Sequence, residues 1–145
     1  MKLYFKKVDR RATVPTYGTD FSAGADLRAV LDSPITIKPG DSALIHTGIA
    51  TAIPAGYVGL VFARSGIACK RGLAPSNKVG VIDSDYRGEI MVSLHNHGIV
   101  EQTIDPDERI AQMVVTPFIY CEYEETNDLD DTERGAGGFG STGTR

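Results

Sequence analysis

At 145 residues the chain has the length of one domain, able to bury about two-thirds of its unfolded surface without disulfide or metal staples. Its formal net charge is −4, but seven of its 19 acids crowd into residues 122–133, which leaves 12 acids against 15 bases elsewhere. That mildly basic body suits a phosphorylated small molecule and is too weak to predict nucleic-acid binding, while two cysteines in no metal-ligand spacing, Cys69 and Cys121, fit small core positions in a reducing cytoplasm.

The stretch Met1–Lys7 has no long apolar run, so neither a signal peptide nor a membrane span is expected. Short apolar or alternating runs then follow one another: Ala25–Val30, Ile35–Ile37, Ala43–Ile53, Tyr57–Ala63, Val79–Ile82, Ile90–Asn96, Arg109–Val115 and Phe118–Tyr123. Turns at Pro39-Gly40, Pro54-Ala55-Gly56, Arg87-Gly88 and Pro106-Asp107 separate them. Many short strands at this spacing predict an all-β fold, a jelly-roll-like sandwich or barrel. Ile90, Val92, Leu94 and Asn96 share one strand face. The run from Arg109 is apolar on both faces, with Met113 and Val115 on one and Ile110 and Val114 on the other, so it needs a second cover. One short helix is expected after Ser65, its N-cap, ending at Gly72. Its free N–H groups beside Arg64 also make an anion site.

Gly80–Glu89 reads Gly-Val-Ile-Asp-Ser-Asp-Tyr-Arg-Gly-Glu. An apolar strand delivers Asp83 to the lip of a turn, where a carboxylate is held in place as a general base requires. Tyr86 adds a flat surface that can judge the shape of a small ligand. Asp85 is a turn residue, whereas neither Asp83 nor Tyr86 is needed to make the turn.

The acidic stretch 122–133 reads as a solvated linker between a body, 1–121, and a Gly-rich arm, 134–145. The arm's glycine spacing resembles a dinucleotide fingerprint, but no strand–helix unit surrounds it and no acidic partner follows. Phe139 among glycines has a use if it covers something, and Arg134, Ser141 and Thr142 with flexible N–H groups make a phosphate clamp. His95 and His97 fall on one strand face, but three histidines in all, with His46 upstream, do not complete a metal motif.

Five segments together resemble the motifs of the trimeric dUTP diphosphatases (dUTPases), in order and over nearly the whole chain: Ala23–Ala29, Ala63–Ala68, Gly80–Glu89, Glu108–Met113 and Arg134–Gly143. Ala63 stands where the family usually has proline. The resemblance implies a jelly-roll homotrimer with shared active sites that hydrolyses dUTP to dUMP and pyrophosphate. That activity would keep uracil out of DNA and supply dUMP for thymidylate synthesis, with Mg²⁺ on the triphosphate. On this match Asp83 activates the attacking water at the α-phosphate, and Tyr86 packs under the deoxyribose. Asn77 and the backbone of Gly80, Val81 and Ile82, with Met91, read uracil. Arg64, Ser65, Gly66 and Gln112 hold phosphates. Arg134, Phe139, Gly140, Ser141 and Thr142 close a lid, Phe139 over the base. Asp26 supports the metal's water shell, and Arg109 braces the site through a carboxylate. Two rivals are dCTP deaminase, which carries a catalytic glutamate about where Ser93 stands, and a non-enzymatic β-sandwich that senses nucleotide.

Overall fold

The computed structural model describes residues 1–138 and Ser141. Eleven strands and one helix appear in the order β1 (Tyr4–Lys7), β2 (Thr16–Tyr17), β3 (Ala25–Arg28), β4 (Ile35–Ile37), β5 (Ser42–Ala52), β6 (Tyr57–Phe62), α1 (Ser65–Arg71), β7 (Leu73–Pro75), β8 (Gly80–Ile82), β9 (Glu89–Asn96), β10 (Gln102–Ile104) and β11 (Arg109–Pro117). They form a jelly-roll-like sandwich: a sheet β1-β5-β9-β7, a second β2-β3-β11-β6-β8, and the pair β10-β4. Every pairing is antiparallel, as expected of an all-β chain built from turns rather than helical crossovers.

The core lies between the sheets, where Leu27, Ile45, Leu73, Ile90, Leu94 and Ile110 are essentially fully buried. The alternation along β9 holds, with Ile90, Val92, Leu94 and Asn96 all buried. Asn96 tolerates this because its amide donates to the carbonyls of Ile37 (2.9 Å) and Val100 (2.8 Å), and its side-chain oxygen accepts the Gly98 N–H (3.0 Å). A bulge accounts for part of the two-faced pattern of β11. A register shift between Arg109 and Ala111 puts Ile110 and Ala111 both in the core, and Met113 then follows on the inner face. Val114 is left half-buried on the outer face.

Four short strands, β1, β2, β7 and β10, went unread in the sequence. Phe118–Tyr123, expected as a strand, is irregular, with Ile119, Tyr120 and Tyr123 almost fully exposed. An extended segment becomes a strand only where a neighbour takes its N–H and C=O groups in turn, and among the described residues only the Phe118 N–H finds such a partner, the Gly56 carbonyl (3.0 Å). Cys69 and Cys121 are exposed thiols, not core residues. After β1, Arg11 pairs with Asp9 (2.8 Å) and Asp32, and its guanidinium holds the Asp9 carboxyl down to about 2.

Candidate active site

Two clefts gather the residues expected to hold phosphates and to read the base, while Asp83 and Tyr86 line neither. The first opens where β6 runs into α1. Arg64 has extended backbone (φ −85°, ψ 139°) and occupies the N-cap position, so Ser65 is the first helical residue and its hydroxyl does not cap. The Arg64 carbonyl accepts the Ala68 N–H (3.0 Å), the first helical bond, and no side chain caps the N–H groups before it. The helix closes as expected at Gly72, left-handed at φ 65°. From β11, the Gln112 amide donates to the Ala63 carbonyl (3.0 Å), fixing the start of the Arg64 turn. From β3 comes Asp26, 7% exposed, with Oδ1 2.6 Å from Arg64 Nε and Oδ2 3.2 Å from Arg109 Nη1. Holding Arg64 by Nε leaves its two Nη groups to donate elsewhere. Arg64, Ser65, Gly66, Gln112, Asp26 and Gly24 line this cleft of about 580 Å³.

The carboxylate that braces Arg109 is thus Asp26, whose oxygens both face guanidinium groups. Among the described residues no group of three His, Cys, Asp or Glu side chains is placed to hold a metal. Mg²⁺ does not need such a cage: it usually keeps several waters and binds through substrate phosphates with one or two carboxylates.

The second cleft, about 170 Å³, lies where β8 and β9 diverge. Asn77, Gly80, Val81, Ile82 and Met91 all line it, together with Ser93, whose hydroxyl lies 2.9 Å from that of Ser76. Lys78, with a positive φ of 66°, turns the chain into β8. Gly80 lets the strand run close to its neighbour, since a Cβ there would sit a tight 3.2 Å from that of Val61.

At the lip of β8, Asp83 is exposed, and its carboxylate has no hydrogen bond or ion pair among the described residues. Its carbonyl accepts the Tyr86 N–H (3.2 Å), closing the turn. The Tyr86 hydroxyl donates to the Glu89 carbonyl (2.9 Å), so the ring lies flat across Gly88, where any Cβ would collide with the phenol. Arg87 donates to the Ser84 carbonyl (2.7 Å) and braces the turn from outside.

The two clefts share no lining residue. Arg134 donates to the Gly137 carbonyl (2.8 Å) within its own segment, and Ser141 is exposed. Phe139, Gly140 and Thr142 lie outside the described residues. Reading the sequence missed Gly24, against which Gln112 packs, and the pair His46–Glu89 (2.8 Å) at the start of β9. Gly24 was legible as part of the Ala23–Ala29 motif; the pair spans 43 residues and leaves no local signal.

A family profile described as dUTPase matches residues 10–143. A protein of Burkholderia mallei (strain SAVP1) called deoxyuridine 5'-triphosphate nucleotidohydrolase is 49% identical over 146 residues, covering 99% of each chain. One of the same name from Paraburkholderia xenovorans (strain LB400) is 47% identical over the same span. Among solved structures, a mutant dUTPase of Staphylococcus bacteriophage 80alpha with dUpNHpp superposes with a TM-score of 0.90 at 27% identity, covering 99% of both chains.

Proposed function

This chain belongs to the dUTPase family and hydrolyses dUTP to dUMP and pyrophosphate, and we propose that it does so by attack of an Asp83-activated water on the α-phosphorus. The observation that carries the reading is the sorting of the candidate residues. Those expected to read the base share one cleft beside Asp83 and Tyr86, and those expected to hold phosphates share the other.

Asp83 accepts the water's proton; its carboxylate is unpaired among the described residues and so available, and the strand end and the Tyr86 N–H hold its backbone in place. Developing phosphate charge meets the Arg64 Nη groups and the uncapped N–H groups of Ser65 and Gly66. Asp26 keeps Arg64 aimed by holding its Nε. Asn77, the Gly80–Ile82 backbone and Met91 receive uracil, and the Tyr86 ring lies beneath the sugar, leaving no room for a 2′-hydroxyl. Mg²⁺ supplies charge neutralisation while bound to the triphosphate.

Clefts with no residue in common fit sites completed between copies, and we assign the protein to a homotrimer. The arm from Arg134, carrying Phe139, Gly140, Ser141 and Thr142, closes over bound nucleotide on this reading, joined by the acidic stretch 122–133 to the body 1–121. Chemistry of this kind serves to keep uracil out of DNA and to supply dUMP, and we place it in the cytoplasm; among the described residues no helix is long and apolar enough to cross a membrane. Pyrophosphate release from dUTP, dTTP, dCTP and UTP, with and without residues 134–145, tests the reading. Turnover of dUTP alone, largely lost on truncation, is expected; equal turnover of UTP would reject the sugar assignment, and full activity without the arm would reject the lid.

A further inference from the structure

We infer that Glu89 is a positioning residue for sugar selection, tying the start of β9 to a bulge in β5 so that its carbonyl is fixed where the Tyr86 hydroxyl must dock. The inference rests on the role proposed for Tyr86. Strands β5 and β9 pair regularly from Ser42 opposite His95 to His46 opposite Met91, then slip before Ala50 meets Glu89. Gly48, buried in the slip, adopts a left-handed φ of 66° and passes so close to Ala12 that a Cβ there would come within 2.6 Å of its neighbour.

The Glu89 side chain, 20% exposed, closes this bulge. Its Oε1 accepts the Gly48 N–H (2.7 Å), and its Oε2 lies 2.8 Å from His46 Nδ1. Bonds to an ionised carboxylate are the stronger kind, and two of them fix the residue from both oxygens. The same residue's carbonyl takes the Tyr86 hydroxyl (2.9 Å). Tyr86 makes no other side-chain hydrogen bond among the described residues, so the shelf is only as well placed as Glu89. The Tyr86 N–H carries the constraint on to the Asp83 carbonyl (3.2 Å). A buried, left-handed glycine receiving a carboxylate from the residue that anchors the selectivity ring is more than a sheet needs for pairing.

The test is a double-mutant cycle on the ratio of kcat/KM for dUTP over UTP. Glu89→Ala is expected to narrow that ratio about fivefold or more. Glu89→Gln, which keeps an oxygen for the Gly48 N–H, should recover most of it, a rescue that a loss of general stability would not produce. In a Tyr86→Ala background Glu89→Ala should change the ratio no further, because both act through one ring. If Tyr86→Ala narrows the ratio and Glu89→Ala does not, the inference falls while the Tyr86 reading stands. Independent, additive effects would also overturn it, and an unchanged ratio in Tyr86→Ala would remove both. Should Glu89→Ala lose its cooperative melt, His46→Ala takes its place: it removes one of the two ties and should narrow the ratio about twofold, and an unchanged ratio would be fatal.

Discussion

The two clefts are built by different means. The phosphate side is an arrangement of charge: Asp26 between Arg64 and Arg109, with a helix start beside them. The side at the β8–β9 turn is an arrangement of shape: a tyrosine ring laid on a glycine, a backbone close against Val61, and a carboxylate left without a partner among the described residues. Ion pairs aim a flexible side chain but tolerate small backbone movements. Close packing against glycine tolerates neither a methyl group nor a shift of the strand beneath it. Charge changes should therefore disable the first cleft and shape changes the second, with little crossing over.

The largest expected effect comes from Asp83, whose charge is what the chemical step needs. Asp83→Asn keeps size and turn geometry but removes the base, so kcat should fall by roughly 10²–10⁴ while a non-hydrolysable dUTP analogue still binds. That is about 3–5 kcal/mol of barrier. Single-turnover rates and analogue titration decide it; a near-normal kcat would end the assignment.

On the phosphate side Asp26→Asn leaves two guanidinium groups without their carboxylate. Both arginines are partly exposed, so solvent softens the loss, and we expect about 1–3 kcal/mol of stability. Arg64 also loses its aim, so KM for dUTP should rise with the ratio of dUTP over UTP unchanged. The reciprocal case is Gly88→Ala. Its Cβ would occupy the place of the Tyr86 phenol and lift the ring. Sugar selectivity should drop about tenfold, the scale of a lost steric and hydrogen-bond fit, with phosphate affinity (read from pyrophosphate inhibition) little changed. If Asp26→Asn moved selectivity or Gly88→Ala moved pyrophosphate binding, the division between the clefts would fail.

How much of this was legible in the sequence follows the same division. The turn after β8 could be read because its parts are adjacent: β8, Asp83, Tyr86 and Gly88 lie within nine residues, and β9 alternates cleanly from Ile90 to Asn96; that the two strands join different sheets instead of pairing as a hairpin was not visible. The helix was legible in its extent and its Gly72 stop, but not in its cap, because Arg64 adopts the extended backbone that Ser65 was expected to take. The charge network was only half visible. Arg109 was expected to find a carboxylate, yet nothing local says that Asp26 would hold Arg64 as well, 38 residues away in sequence. Bulges were the least legible. The slip at Arg109–Ala111 helped make β11 look two-faced, and the one before Ala50 hid the bond between Gly48 and Glu89. A bulge changes which face a residue takes without changing the pattern that was read. Phe118–Tyr123 failed for the complementary reason: its apolar spacing is strand-like, but a ladder needs a partner.

The smallest expected effect separates the body that carries both clefts from the chain beyond it. Among the described residues, the hydrogen bonds made after Glu133 stay local: the Gly135 N–H to Thr132, Gly137 N–H and Arg134 Nε to the neighbouring carbonyls of Arg134 and Gly137, and the Ser141 N–H to Gly138. None of the core side chains comes from this stretch. Deleting residues 132–145 should therefore shift the unliganded melt by no more than the roughly 0.5 kcal/mol typical of surface changes, about 1–2 °C for a domain of this size. Sedimentation of the same protein should match the full-length assembly after allowance for the lost mass. Adding dUTP analogue with Mg²⁺ should then separate the two proteins. The full-length chain should gain stability on binding as RT ln(1 + [L]/Kd), and the truncated one should gain less if the arm closes on the ligand. Equal gains would mean that the two clefts hold the nucleotide without it, and a truncated protein that melts early or dissociates would mean that the last residues belong to the fold.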